Sequence, residues 1–472
     1  MKKQNMNRPR LRTAILALAL CAALAAGFLA GCGTTLAGRE KTTALPPAEE
    51  TGLKLNLYQP HRAQAALWQA LAADYKTLTG VTVVVTTPQG GAPATELKEA
   101  LKGEGRPAIF LFTNPREYKA WQDYASDVTA TPAYRRLVDK RLALTAEDKI
   151  IGLPVGVEAF GIIYNKKILD DYFALEGKKS GLKSIADVKS FKELEALAKD
   201  LQDRKADLGL DGAFATPALQ EGESAAWTTR LLSVPLGYEI GKQKVDVTGE
   251  GVDELSLRYE TGYKGFYDLY LGYGTAPREA LDTRAYADAV KEFATGKAAM
   301  ILGGTDFTGQ LNSAVGQTVT ADQCALLPAF MNIEDAKAQG LAFDVMEYAA
   351  INGRAGEEEI QAAGEFLNWL FTSEKGMDFL ANQLNVLAPY DSVTPAALPG
   401  NPLAASAFDW LKREGVTGPV AYSVLTPGED YRDKVVSEGL LSYAKGENDW
   451  NKFKTDLKEG WGEYRARVNE NY

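Results

Sequence analysis

The chain has 472 residues, 46% of them apolar and 24% charged, a globular composition with room for two or three domains. Five basic groups (Lys2, Lys3, Arg8, Arg10, Arg12) and no acidic ones fall in the first 31 residues, leaving 47 basic against 62 acidic groups beyond them. Such an acidic body is a poor nucleic-acid binder, and one histidine (His61) with three cysteines (Cys21, Cys32, Cys324) excludes most zinc sites and leaves little for nucleophile pairs.

After the basic start, an apolar run from Thr13 to Ala30 ends in Leu29-Ala30-Gly31-Cys32. Basic residues, an apolar stretch and small residues at its end read as a secretory signal over 1–31, with a membrane-spanning anchor as the alternative. Leu29-Ala30-Gly31-Cys32 resembles the lipobox of bacterial lipoproteins, which implies lipidation of Cys32 and attachment to the outer face of a membrane. Residues 32–52, rich in Gly, Thr and Pro without apolar periodicity, read as a flexible tether. Cys324 then has no partner for a disulfide and reads as a small buried apolar residue.

Leu53-Lys54-Leu55-Asn56-Leu57 alternates as a half-buried strand, and Leu67, Leu71, Tyr75 and Leu78 line one face of a helix closed by Gly80. Val81–Val85 reads as a β-branched strand, Glu96–Lys102 as a short helix and Ala108–Phe112 as a buried strand. This alternation predicts an open α/β unit with a parallel sheet, whose ligands sit beyond the carboxyl ends of the strands. The rim is then Tyr58-Gln59-Pro60-His61 and Thr113-Asn114-Pro115, with Asn114 either a ligand contact or a helix N-cap. Further helices begin at the Ser190-Phe191-Lys192-Glu193 capping box, at Glu357-Glu358-Glu359 and at Ser373. The last begins near Trp450, with Phe453, Leu457, Trp461 and Tyr464 on one side.

Nucleotide, calcium and nucleophile motifs fail on their own chemistry. Thr295-Gly296-Lys297-Ala298 has Lys291 where a phosphate loop needs its first glycine, and no hydroxyl after the lysine. Asp207, Asp211 and Gly212 have Gly209 at the third ligand position of a calcium loop and Ala218 at the twelfth. No Gly-x-Ser-x-Gly elbow occurs, and the apolar stripes are core rather than cofactor sites. A surface glycosidase built on paired carboxylates remains an alternative.

The stretch Gly152-Leu153-Pro154-Val155-Gly156-Val157-Glu158-Ala159-Phe160-Gly161-Ile162-Ile163-Tyr164-Asn165-Lys166 resembles family 1 extracellular solute-binding proteins, the maltose-binding-protein group that feeds ABC importers. Phe293–Met300 with Gly303-Gly304, Phe366–Leu370 through Leu380, and the helix from Trp450 follow in the family's order. The resemblance implies a two-lobe periplasmic-binding-protein-like fold with a hinge and an interlobe ligand cleft. The lobes would be 53–156 plus 329–386 and 157–328 plus 387–472. It further implies a monomeric protein with no cofactor, metal or catalysis, capturing a carbohydrate such as an oligosaccharide for permease subunits; a sensing or scaffold lipoprotein is the remaining alternative. By the same resemblance Glu158 is the leading ligand carboxylate, with a surface or capping role as its alternative. Trp227 and Tyr431 match family aromatic positions, and Trp227 reads equally as core. Asp306 and Phe307 stand where the family has a tryptophan. His61 and Arg62 are polar candidates beside the first strand, His61 equally a solvated loop residue.

Overall fold

The computed structural model describes residues 48–469, with side chains to 467. The signal segment and Cys32 lie outside the described residues. Strand β1 (Lys54–Tyr58) is followed by helix α1 (Ala65–Thr79), β2 (Thr82–Thr86), α2 (Pro93–Lys102) and β3 (Ile109–Phe112). Both β2 and β3 pair parallel to β1, as expected where helices connect successive strands. Gly80 ends α1 at φ 74°, a left-handed cap that L side chains adopt only under strain, and its N–H donates to Lys76 O at 2.8 Å.

The tether expected to run to residue 52 is tied down at its end. Ala48 N–H donates to Thr77 O at 3.1 Å and Thr51 N–H to Gly80 O at 3.3 Å, fastening 48–51 along the end of α1.

The sheet continues through two long strands. After the short β4 (Leu144–Ala146), β5 spans Lys149–Asn165; β6 is Gly212–Phe214, β7 Ala298–Gly304, β8 Cys324–Leu327 and β9 Ala342–Ile351. The order is β2-β1-β3-β9-β5-β7-β6, with β4 and β8 also on β5. The last part of β9 pairs with β3, whereas the last part of β5 pairs with β7 and β8. Between them β5 and β9 run antiparallel from Leu153↔Ala349 to Phe160↔Ala342, with irregular register around Gly156. These two strands therefore join two α/β halves, with the register shifting at the join.

Helices α3 (Phe191–Asp203), α5 (Glu357–Thr372) and α6 (Trp450–Asn469) form where periodicity places them, and α4 (Glu260–Tyr273) is a further helix that the sequence reading did not mark. At α3 the expected box is altered: Ser190 Oγ donates to the Glu193 carboxylate instead of accepting from the helix. At α5 the Glu359 carboxylate accepts Gly356 N–H at 2.8 Å, a helix-start contact of the kind the three glutamates promise. Cys324 is 1% exposed, and burial pushes its thiol up to about 12, so it is packing rather than a nucleophile.

Candidate functional site

The join brings chemistry together from distant parts of the chain. On the ladder Glu158 lies opposite Asp344, and Glu347 opposite Gly156. Residues 226–231 form a π-helical turn, a rare conformation frequent at functional sites, and it carries Arg230. Arg230 Nη2 is 3.0 Å from Glu158 Oε2, while its two terminal nitrogens clamp Asp306 at 3.1 and 3.0 Å. Asp306 follows β7 and Gly303-Gly304. A Cβ at Gly304 would stand 2.6 Å from Arg230 Nη1 and 2.8 Å from Ala159 O, so only glycine lets the guanidinium in.

Carboxylates dominate here. Burial raises the pKa of Glu158, which Arg230 partly offsets and Asp306 reinforces. Burial also pushes Asp344 up to about 7 against hydrogen bonds from the Ser423 N–H and Oγ–H. For Arg230, burial pulls downward, but Glu158 and Asp306 outweigh it and hold the guanidinium charged. A cavity of about 540 Å³ borders Glu158, Thr305, Asp306, Met346 and Asn401.

A second cavity, about 880 Å³, opens beyond the carboxyl ends of β1 and β3, where an open α/β sheet holds ligands. Tyr58, His61, Thr113, Arg116 and Glu117 line it, and Glu250 borders it from a distant part of the sequence. His61 Nε2 lies 3.3 Å from Glu347 Oε1, an ion-pair distance without hydrogen-bond alignment. The Glu347 carboxylate raises the imidazole pKa over the opposing pull of burial. Gln59, fully buried just after β1, spends its Oε1 on His61 N–H and leaves Nε2 without a partner among the described residues. Arg116 donates to Gly249 O and the Asp253 carboxylate, which also accepts Arg465 Nε at 2.9 Å; Lys119 meets Glu250 at 2.7 Å.

A third cavity, about 910 Å³, is lined largely by apolar groups such as Leu326, Leu327 and Trp410, and touches none of the residues singled out from sequence as ligand contacts. Among the described residues no group of three or more His, Cys, Asp or Glu could hold a metal ion.

Of the expected ligand residues, Glu158, Asp306 and His61 stand at these cavities. Three aromatics do not. Trp227 is 2% exposed, with the Tyr267 and Tyr270 rings 5.2 and 4.8 Å away, so its faces are spent in the core. Phe307 is fully buried against Phe293, and Tyr431 is fully buried with its hydroxyl donating to Leu457 O at 2.9 Å. Arg62 is a loop clamp, donating to Pro88 O and Gly90 O at 2.6 Å each. Asn114 takes the cap role: its Oδ1 accepts Arg116 N–H at 3.0 Å at the start of the turn Pro115–Glu117.

Sequence reading misses Arg230, Asp344, Glu347, Arg116 and Glu117. The legible signal was the pair of acids inside Ala342–Ile351, since ionised side chains in a buried strand demand a reason.

Two α/β halves joined by crossing strands, with polar groups gathered at the join, define a two-lobe binding protein. The family described as bacterial extracellular solute-binding protein matches residues 70–405, and this chain belongs to it. No curated protein matches the chain significantly in sequence. Solved structures share the two-lobe fold at low identity. A family 1 extracellular solute-binding protein from Bifidobacterium longum subsp. infantis is 17% identical, with 88% of this chain and 99% of that one covered, at TM-score 0.60. The apo form of RafE from Streptococcus pneumoniae is 12% identical over 89% and 100%, at TM-score 0.59. The cyclic alpha-maltosyl-1,6-maltose binding protein from Arthrobacter globiformis is 15% identical over 88% and 99%, at TM-score 0.54. The family is one of binding proteins and is extracellular by description; among the described residues no helix is long and apolar enough to cross a membrane.

Proposed function

We propose that this chain is the substrate-binding component of an ABC importer, held to the outer face of the membrane by lipid on Cys32. It captures a carbohydrate of oligosaccharide size between lobes 53–156 plus 329–386 and 157–328 plus 387–472, and passes it to permease subunits without bond chemistry. The observation that carries the reading is the Glu158–Arg230–Asp306 cluster, which gathers a crossing strand, a π turn and the end of β7 beside a cavity.

Carboxylates suit a sugar because each oxygen accepts from a hydroxyl, and charge-assisted hydrogen bonds are roughly twice as strong as neutral ones. With Trp227, Phe307 and Tyr431 buried, these three rings are not available to stack on a sugar, and the reading leans on the acceptors. The cavity beyond β1 and β3, about 880 Å³, has the volume of a small-molecule site. Each lobe contributes contacts, so ligand favours the closed form by its differential affinity.

A thermal-shift screen of neutral mono- and oligosaccharides, followed by small-angle scattering with the best of them, tests this. A true ligand at a hundred times its Kd stabilises by about 2.7 kcal/mol and returns uncut, with a smaller scattering radius. The absence of any shift across the screen, or cleavage of the sugar, removes the reading.

A further inference from the structure

Glu117 is a carboxylate the account so far leaves idle. It sits in the turn after β3, half-buried, and faces the cavity of about 880 Å³ together with Tyr58 and Thr113. Neither a hydrogen bond nor an ion pair ties its side chain to any described residue, and burial alone pushes its carboxyl up to about 7. Two of the polar groups around it are committed elsewhere. Tyr58 Oη donates to Pro93 O at 2.8 Å, and Glu96 accepts Gln89 and Gly90 N–H at 2.6 Å. The cations at the cavity are committed as well: Arg116 to Gly249 O and Asp253, Lys119 to Glu250, and Lys102 to Glu99. Among the described cations lining the cavity Lys98 makes no close ion pair; it is exposed on α2, feels the charge of Glu99, and is screened by solvent and salt.

A carboxylate partly withdrawn from water with no cation on it costs free energy that an arriving donor can offset. A hydroxyl would supply one neutral donor; an ammonium supplies charge and up to three donors. Resting on the sugar-capture reading above, we propose that Glu117 binds the ligand directly and selects a sugar bearing a protonated amino group over its neutral counterpart.

The test is the affinity of glucosamine, glucose and glucuronate, which share one ring, for the full chain, Glu117→Gln and Glu117→Ala at neutral pH, by thermal-shift titration. Glucosamine is expected to bind about tenfold more tightly than glucose, glucuronate most weakly, and the glucosamine preference to fall to about one in both variants. Unchanged melting of the two ligand-free variants shows that the fold is intact. A wild-type ratio near one, or a preference that survives both substitutions, overturns the proposal while glucose binding leaves sugar capture standing. Failure of all three sugars together with the broad screen overturns both.

Discussion

Asp253 and Arg230 each centre an ion-pair cluster, with the stoichiometry reversed. Around Asp253 two guanidiniums share one carboxylate, the side chains of Arg116 and Arg465 being only 6% and 3% exposed, and carbonyls of Gly249 and Leu425 take further donors. Around Arg230 one guanidinium serves Glu158 and Asp306, while Asp344 is close enough to feel both Glu158 and Arg230. The first cluster is cation-rich and closed except at Arg465 Nη2, which has no hydrogen-bond partner among the described residues, whereas the second is carboxylate-rich. Excess positive charge sits in the packed interior around Asp253, whereas excess negative charge borders a cavity around Arg230, as the sugar-capture proposal requires.

Asp253→Ala probes the first cluster hardest. Removing one partner strands two buried guanidiniums, and the expected loss is about 3–5 kcal/mol in chemical denaturation. A loss below about 1 kcal/mol, the range of an exposed ion pair, would erase the distinction between the clusters.

The second cluster is read through pH. Asp344, held near 7 in the folded state, releases its proton near 3.9 when unfolded. Between those values the native state holds the extra proton, so stability falls as pH rises through roughly 4 to 7 and levels off above. Asp344→Asn carries no such proton, and is expected to gain about 1–2 kcal/mol over the wild type at pH 8 and to lose that advantage by pH 4. Glu117 and Glu158 shift in the same sense, so the informative quantity is the difference between variant and wild type across the titration. Equal profiles would mean that Asp344 is not the strained acid of this cluster.

Local pattern explains why the first α/β unit was legible. Alternation over Leu53–Leu57, helical spacing through Leu67–Leu78 and the turn at Gly80 are short-range facts, and β1, α1 and their cap follow them to within a few residues. Glu158 was singled out only because a long ordered motif resembles a family, and the residues that cluster with it lie far away in sequence. Asp344 reaches it through a ladder between strands almost two hundred positions apart, and Arg230 through a π turn that no propensity announces. Trp227, Phe307 and Tyr431 were misplaced for a different reason. An aromatic ring has the same chemistry whether it stacks on a ligand or fills a core, and only packing around it decides.

The finest test concerns how Arg116 comes to Asp253 at all. Asn114 Oδ1 holds Arg116 N–H and so sets the turn from which that guanidinium leaves β3. Asn114→Asp keeps an acceptor at the cap and should be nearly neutral, whereas Asn114→Ala is expected to cost about 1 kcal/mol, measured by denaturation. Combined with Asp253→Ala, the Asn114→Ala cost should shrink, because a turn that positions Arg116 matters less once its partner is gone. Full additivity would instead make Asn114 a cap that serves only its own turn, leaving the Asp253 cluster to be organised by packing of 249–253 against α6, where Trp461 Nε1 donates to Val252 O at 2.8 Å.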